Sequence, residues 1–204
     1  MLFYTIRHIN ILRRYLKNKT MNIKYIDKEI KYEGFQLAPH WIYKNFKIQG
    51  DAIVAFVGEC DVKLDEMVDI EDVINNEPIY SKSMLSFISE QFNIGLIEGV
   101  LRQRLLICKI KESLEKRGFK ILRDGDDLFF DDRKLTVSIA TKSQTSVLIH
   151  TGINIISEGA PIKASGLSED MKIFDIKEFA NEVMQAYSFE LNDIVQASTK
   201  VRGV

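Results

Sequence analysis

The stretch GDDLFFDDRKLTVSIATKSQTSVLIHTGIN, residues 125–154, decides the fold, because it predicts two adjacent strands whose faces differ in polarity. Side chains alternate along a strand, so one face of the first strand should carry Lys134, Thr136 and Ser138, opposite Leu135, Val137 and Ile139. The mixed face of the second strand should carry Ser146, Leu148, His150, Gly152 and Asn154. This pattern is typical of an antiparallel sheet with one solvated face, or of a sheet face that forms a binding site.

Gly152 favours the binding site over the solvated face. A glycine inside a strand weakens it, and it often marks the close approach of a ligand or of another backbone. The alternating pattern taken alone still leaves both interpretations open.

The neighbouring segments predict further elements. The short apolar run AIVAFVG, residues 52–58, predicts a buried strand, and Asp131 with Asp132 predicts a tight turn, because aspartate tolerates positive φ. SKSMLSFISEQF, residues 81–92, predicts a short amphipathic helix capped by Ser81 or Ser83. The acidic residues 65–78 predict a loop with one helical turn and a solvated face.

Two longer helices are predicted from apolar residues at helical spacing. In residues 94–117 the core stripe should consist of Ile97, Leu101, Leu105 and Cys108, and the helix should end at Gly118. In residues 175–198 the inward stripe should consist of Phe179, Val183, Ala186 and Tyr187. Since strands and helices alternate without a repeating unit, the sequence predicts an α+β domain on a mixed, mostly antiparallel sheet.

Composition narrows the classes of function. The chain has 204 residues, of which 46% are hydrophobic, enough for a single globular domain. No apolar run approaches the roughly 20 residues that span a bilayer. Two cysteines outside any CxxC pattern and three scattered histidines predict a cytoplasmic protein without a disulfide framework or a metal site. Any other cofactor stays unknown, and so does the oligomeric state.

Residues 1–20 differ in charge from the rest of the chain. They carry five basic residues and no acid, whereas the remaining residues carry an excess of acid. Since Met21 opens a predicted strand, we interpret residues 1–20 as a basic extension, which need not be the native start, of a domain at 21–204. A membrane-surface or targeting segment is the alternative. The acidic body makes nucleic acid an unlikely partner.

Several motifs carry a resemblance to known families. GDDLFFDDRKLTVSI resembles a biotin protein ligase signature in which a Pro-Asn-Asp turn precedes a strand, a tight turn and a lysine, with Asp127 and Lys134 in the matching positions. HTGIN is similar to the Gly-Ile-Asn strand of those ligases and to the His-Gly strand, ending in Asn, of lipoate-forming octanoyltransferases. KASGL, residues 163–167, lies where octanoyltransferases have Cys-Gly-Leu or Cys-Gly-Ile.

From Met21 onward the chain more closely resembles a prokaryotic family catalogued as domain of unknown function 366. QLAPHWIY, GDAIVAFVGECDVKL, LRQRLL, DDRKLTVSIAT, HTGINI, GAPIKASGL and the terminal STKVRGV carry this likeness. The resemblance implies the fold shared by biotin and lipoate ligases and by class II aminoacyl-tRNA synthetase cores. It implies no particular reaction.

The resemblance to the ligases and octanoyltransferases suggests a chemistry for Lys134. A lysine on a rigid strand can stabilise a carboxylate or an α-phosphate without reorganisation. The ligases, however, hold ATP under a Gly-Arg-rich loop, and GDAIVAFVGECD, residues 50–61, contains none, which argues against adenylation. Where octanoyltransferases have a nucleophilic cysteine this chain has Ser165, for which Lys134 or Lys163 would have to act as the base.

Two hypotheses follow for the function. In the first, the protein is an acyltransferase-like or ligase-like enzyme for a small carboxylate or acyl ligand, with Lys134 as electrostatic stabiliser and Ser165 as candidate nucleophile. Its substrate-binding residues would be Asp127, His150, Gly152 and Asn154. In the second, the same fold serves as a non-catalytic module that binds a small molecule or another protein.

Overall fold

A five-stranded sheet forms the centre of the protein in a computed structural model, which describes residues 21–203. The predicted extension at residues 1–20 lies outside this range. The strands in chain order are β1 (Asn22–Tyr25), β2 (Ala52–Val62), β3 (Ile79–Phe92), β4 (Leu122–Asp124), β5 (Asp127–Phe130), β6 (Arg133–Lys134), β7 (Thr136–Lys142) and β8 (Ser146–Ile156). The large sheet has the order β1-β2-β3-β8-β7, and β4-β5-β6 form a small second sheet.

The large sheet is mixed, as the sequence predicts. β1 runs parallel to β2, whereas β2, β3, β8 and β7 pair as antiparallel neighbours. The helices are α1 (Trp41–Phe46), α2 (Ile70–Asn75), α3 (Leu96–Lys116) and α4 (Ile176–Ser198), with a 3-10 turn at Leu64–Glu66. No helix within residues 21–203 is both long and apolar enough to cross a membrane.

The two long helices cover one face of the large sheet. Leu85, Phe87 and Ile153 from the sheet pack against Ile107 of α3 and Phe179 of α4 in the main hydrophobic core. Ion pairs from Lys109 to Glu190 and from Arg117 to Glu182 also join the helices. This arrangement confirms the predicted α+β class, in which helices gather on one face of a mostly antiparallel sheet.

The opposite face of the sheet is only partly covered. A second, smaller cluster there includes Tyr32, Ile42, Val54, Phe56 and Ile88. Residues 26–49 run over this end of the sheet, and a Cβ on Gly58 of β2 would lie 2.0 Å from the carbonyl oxygen of Ile30. The other end of this face, over β7 and β8, borders a cavity.

Residues 81–92 belong to β3, so the prediction of an amphipathic helix there is wrong. β3 lies between β2 and β8 and is buried on both faces, with Leu85 on the helix side and Met84 on the other. A strand covered on both faces has no polar side, and its apolar run can mimic one face of a helix. Pairing with β2 and β8 overrides the local pattern, and Ser86 and Ser89 are buried with the rest.

α3 forms where it is predicted, but its predicted core stripe is wrong at Ile97 and Leu101, whereas Leu105 packs against the main core as a partly buried residue. Ile97 is 81% exposed and Leu101 is 65% exposed, while Cys108 is only partly buried. The buried face instead carries Gly99, Gln103, Leu106, Ile107, Ile110, Ser113 and Leu114. A Cβ on Gly99 would lie 2.4 Å from Cγ1 of Val147, so the helix lies closest to the sheet along this face.

Three local predictions are confirmed. Asp131 and Asp132 both have positive φ, at 49° and 57°, as a two-residue hairpin turn requires. Gly118 follows the end of α3 with a φ of 90°. α4 begins after Asp175, whose side chain accepts a hydrogen bond from the backbone nitrogen of Glu178, and its stripe is buried except for the half-exposed Ala186.

The orientation of α3 predicts very different effects for the same substitution at two positions. Ile107→Ala removes a fully buried side chain and should lower the free energy of unfolding by about 2 to 5 kcal/mol. Ile97→Ala removes an exposed side chain and should change the free energy of unfolding by no more than about 0.5 kcal/mol. Equilibrium unfolding in denaturant measures both. A larger loss for Ile97→Ala would show that the predicted stripe faces the core.

Candidate functional site

A cavity of about 500 Å³ lies on the face of the large sheet that the long helices leave free. Its floor comes from β3, β7 and β8 through Met84, Val137, Ile139, His150 and Asn154. One wall consists of residues between 62 and 80, and another of Ala160, Pro161, Ile162 and Ala164. Its volume lies within the range of roughly 300 to 1,000 Å³ typical of small-molecule pockets.

Lys134 enters the cavity from the junction between the two sheets. Its backbone nitrogen donates to the carbonyl of Lys163, and its own carbonyl accepts from the nitrogen of Ser165, both at 3.0 Å. The next residue, Leu135, turns into the helix-side core. Lys134 is therefore fixed by backbone hydrogen bonds on a short strand rather than carried on a free loop.

Because the chain turns at Leu135, the prediction that Lys134, Thr136 and Ser138 share a face is wrong. Oγ1 of Thr136 accepts from the nitrogen of Leu128, and Oγ of Ser138 contacts Oγ1 of Thr151, both at 2.8 Å on the helix side. Val137, Ser138 and Ile139 all border the cavity. The hydroxyls of Thr136 and Ser138 are nevertheless used in hydrogen bonds within the protein.

β8 presents the face that the sequence predicts. His150 and Asn154 line the cavity, and Ser146 lies further along, where its hydroxyl donates to Glu90 over 2.7 Å. Gly152 lies between them but is not part of the cavity wall. A Cβ there would be 2.2 Å from Sδ of Met84, so the close approach that this glycine permits is made by a side chain of β3.

Asp127 and Lys134 form an ion pair, with 2.8 Å between Oδ2 and Nζ. In the hairpin β5–β6, Lys134 is opposite Phe129, and alternation places Asp127 on the same face. Burial raises the pKa of the Asp127 carboxyl, although the neighbouring Lys134 acts to lower it. Both side chains line the cavity and are about one-third exposed, so a ligand can reach the lysine.

His150 contributes an aromatic floor rather than a charge. Its ring stacks on that of Tyr32, with centroids 3.7 Å apart and an interplanar angle of 11°. Nε2 lies 3.3 Å from Oγ of Ser86. Complete burial lowers the pKa of His150 from 6.5 to about 3, so the imidazole is neutral at physiological pH. It therefore cannot supply the cationic contact for an anionic ligand.

Asn154 places a buried amide at the cavity wall. The residue is only 7% exposed and lines the cavity. Its backbone is bonded to Leu135 and Leu167, but its side-chain amide makes no hydrogen bond to any other residue within 21–203. Every fully buried side-chain nitrogen or oxygen among the described residues has a hydrogen-bond partner, so the unpaired amide of Asn154 reaches the open cavity and is available to a ligand.

Ser165 lies beside the cavity but not on its wall. The residue is fully buried, and its hydroxyl donates to the carbonyl of Arg133 over 3.3 Å. Its backbone nitrogen donates a hydrogen bond to the carbonyl of Lys134. The structure thus brings Lys134, Asp127, His150 and Asn154 together around the cavity, while Ser165 and Gly152 lie behind its surface.

The sequence did not indicate the acidic wall. Glu66, Asp69, Asp72 and Glu77, from the segment predicted to be solvated, line the cavity opposite the floor. Asp69 caps α2 by accepting from the nitrogen of Glu71. Burial, and then the nearby Asp69, raise the pKa of Asp72. Charge runs are usually solvated, and no local spacing showed that this one folds over β7 and β8.

Within residues 21–203, no group of three or more histidine, cysteine, aspartate or glutamate residues is arranged to hold a metal ion.

Comparisons with known proteins identify close relatives. The model of the family described as Domain of unknown function (DUF366) matches residues 21–202. An uncharacterized protein of Methanocaldococcus jannaschii is 39% identical over 180 residues, which cover 85% of this chain and 81% of that protein. A solved protein of unknown function from Pyrococcus horikoshi is 38% identical, with a TM-score of 0.85 over 90% of this chain and 99% of that one.

More distant solved structures share the fold. A point mutant of biotin protein ligase from Aquifex aeolicus, in complex with biotin, matches with a TM-score of 0.55 and 15% identity over 85% of this chain and 70% of that one. Lipoate-protein ligase A bound with ATP matches with a TM-score of 0.52 and 15% identity, over 84% and 86%. The expected biotin/lipoate ligase-like fold is thereby confirmed, and identities this low carry nothing about activity.

The buried neutral imidazole predicts a pH dependence of stability. The unfolded chain binds a proton on His150 below about pH 6.5, whereas the folded protein does not until about pH 3. Stability should therefore fall with decreasing pH in this window, by up to about 1.4 kcal/mol per pH unit from this group. His150→Phe, which retains a ring against Tyr32, should remove that part of the slope.

Denaturant unfolding between neutral pH and about pH 5 measures the two slopes, in a range where few carboxylates titrate. Equal slopes for the wild-type protein and His150→Phe would show that the imidazole is protonated in the folded state.

Proposed function

Because the chain belongs to the Domain of unknown function (DUF366) family, we propose its function from the site itself: the cavity binds a small carboxylic acid or acyl group at Lys134. The observation that carries this proposal is the position of Lys134, which is fixed by backbone hydrogen bonds and directed into a cavity of small-molecule size. An ammonium group held in place costs no reorganisation when an anion binds.

The surrounding residues fit an acid with an apolar body. Nζ of Lys134 has three donors, and its contact with Asp127 leaves others for a ligand oxygen. The amide of Asn154 can donate a second hydrogen bond to the same carboxylate. Met84, Val137 and Ile139 supply apolar floor for the rest of the molecule. The biotin complex of a protein with this fold makes carboxylates of this type reasonable candidates.

The geometry supports binding better than adenylation. The cavity wall carries Lys134 as its cationic residue, within the described part of the chain, against six carboxylate residues. A triphosphate brings several negative charges and usually needs several donors or cations. The ATP complex of lipoate-protein ligase A therefore gives no guide to the use of this cavity.

Acyl transfer depends on Ser165, whose role as nucleophile stays a prediction. A serine hydroxyl reacts when a base within hydrogen-bond reach takes its proton. Here the hydroxyl donates to the carbonyl of Arg133, which is not a base, and Lys134 contacts Asp127 instead. Ser165 is better suited to positioning Lys134 through the backbone, which favours the hypothesis of a binding protein.

Replacing Lys134 tests the proposal directly. Lys134→Ala should weaken binding of a responsive acid by about ten- to a hundredfold, since a hydrogen bond to a charged group contributes about 1.5 to 3 kcal/mol. Isothermal titration calorimetry with biotin, lipoate and straight-chain acids measures this effect. Lys163→Ala removes a neighbouring lysine that is exposed and lies outside the cavity wall, so it should bind as the wild type does.

If Lys134→Ala and Lys163→Ala bind the panel equally well while both remain folded by circular dichroism, the proposal fails. If the wild type binds no member of a broad acid panel, it fails as well.

Replacing Ser165 separates binding from transfer. Ser165→Ala should retain the affinity for the same acids within about threefold, because the lost hydroxyl faces a backbone carbonyl and not the ligand. Intact-mass spectrometry after incubation with acyl thioesters should show no acyl adduct on either protein. An adduct on the wild type that is absent from Ser165→Ala would instead establish the transfer hypothesis.

A further inference from the structure

The acidic residues of the cavity wall oppose the binding of a simple acid at Lys134. Six of the lining residues are carboxylates, and within residues 21–203 the lining contains one cation, Lys134. The acidic residues are Glu66, Asp69, Asp72, Glu77, Asp126 and Asp127. An anion that enters such a site meets like charges at reduced dielectric, where repulsion between charges is stronger than in water.

Four of the six carboxylates are paired with a cation, cap a helix or face solvent. Asp127 is paired with Lys134, and Asp126 lies 3.3 Å from Arg104 and accepts from Gln103 over 2.8 Å. Asp69 serves as the cap of α2. Glu66 is exposed at the mouth. These groups are neutralised, engaged in the fold, or well solvated.

Asp72 differs from the others because it is half-buried without a contact partner, and Glu77 lies exposed next to it. Neither side chain has an ion pair or hydrogen bond to another residue within 21–203. The backbone nitrogen of Glu77 donates to the carbonyl of Asp72 over 2.9 Å, which keeps the two residues together at the end of α2. Asp72 is half-buried, and burial, followed by the neighbouring Asp69, raises its pKa. Lys134, whose direct ion pair is with Asp127, acts in the opposite direction on the pKa of Asp72. A cation in direct contact with Asp72 would relieve both effects.

Asn154 gives an independent indication that the cavity is built for a ligand. The residue is more than nine-tenths buried and lines the cavity, and its side-chain amide lacks a partner among the described residues. This residue belongs to β8, far along the chain from the acidic segment. The cavity therefore combines an unpaired amide on β8 with carboxylates that make no direct contact on the wall formed by residues between 62 and 80.

We propose that the ligand of this cavity carries two ends, an acid or acyl group at Lys134 and Asn154 and a protonated amine at Asp72 and Glu77. The inference rests on the proposed function and adds a substrate class, that of amino acids with an apolar segment between the two groups. Met84, Val137 and Ile139 supply apolar surface in the same cavity. The amine offsets the like-charge repulsion that a plain acid would meet.

The test compares three matched ligand series by isothermal titration calorimetry with the full chain. The series are the straight-chain acids from butanoate to octanoate, their ω-amino counterparts, and the alkylamines of the same lengths. At its best length, the ω-amino acid should bind at least about tenfold more tightly than the acid, since an ammonium–carboxylate contact is a charge-assisted hydrogen bond.

Variants assign the two ends. Asp72→Asn, alone and with Glu77→Gln, should abolish the preference for the amino acid and leave the affinity for the plain acid unchanged or higher. Glu71→Gln removes an exposed carboxylate of the same helix that is not part of the cavity wall, so it should keep the preference. Lys134→Ala should weaken the binding of the acids and of the amino acids alike.

Each other outcome overturns the inference in a distinguishable way. Lys134-dependent binding of acids with no preference for the amine, or a preference that survives in the double variant, rejects the two-ended ligand and leaves the proposed function standing. If ω-amino acids bind in a way that depends on Asp72, but neither they nor the plain acids are affected by Lys134→Ala, the acid end and the proposed function are rejected together. If no ω-amino acid binds, the inference fails even where other acids bind.

Discussion

The backbone of Leu135 joins the two sheets, and the site depends on this connection. Its nitrogen donates to the carbonyl of Leu128 over 2.8 Å, and its carbonyl accepts from the nitrogen of Asn154 over 3.0 Å. Its side chain is buried in the helix-side core. These three contacts fix the turn at which Lys134 leaves the small sheet, and they place Lys134 and Asn154 side by side although twenty residues separate them in the chain.

Charged and polar side chains lie on two parts of the cavity wall. At the Leu135 junction, the ion pair between Lys134 and Asp127 and the amide of Asn154 provide donors. On the wall formed by residues between 62 and 80, Asp72 and Glu77 provide acceptors that make no ion pair or hydrogen bond within residues 21–203. His150 lines the same cavity as a neutral ring stacked on Tyr32. This chain shares its fold with ligases at 15% identity. The charges around its cavity follow from the residues of this chain.

The sequence by itself determined the features that depend on neighbours close in the chain. The turn at Asp131 and Asp132 requires only residues that tolerate positive φ, and it sets the hairpin register that brings Asp127 to Lys134. The ends of α3 and α4 follow from Gly118 and Asp175, which act within one turn of helix. The cavity-facing side of β8 follows from strict alternation, because this strand has no bulge along the stretch that pairs with β7.

Only the tertiary structure decided which surfaces those elements cover. Residues 81–92 became the middle strand because β2 and β8 satisfy its backbone on both sides, and the face of α3 that is buried follows from close packing at Gly99. The turn at Leu135 reversed the expected faces of β7, and the acidic residues 65–78 folded over the cavity. Each outcome depends on contacts between residues distant in the chain, whereas local propensity and periodicity record only the contacts that a segment makes with itself.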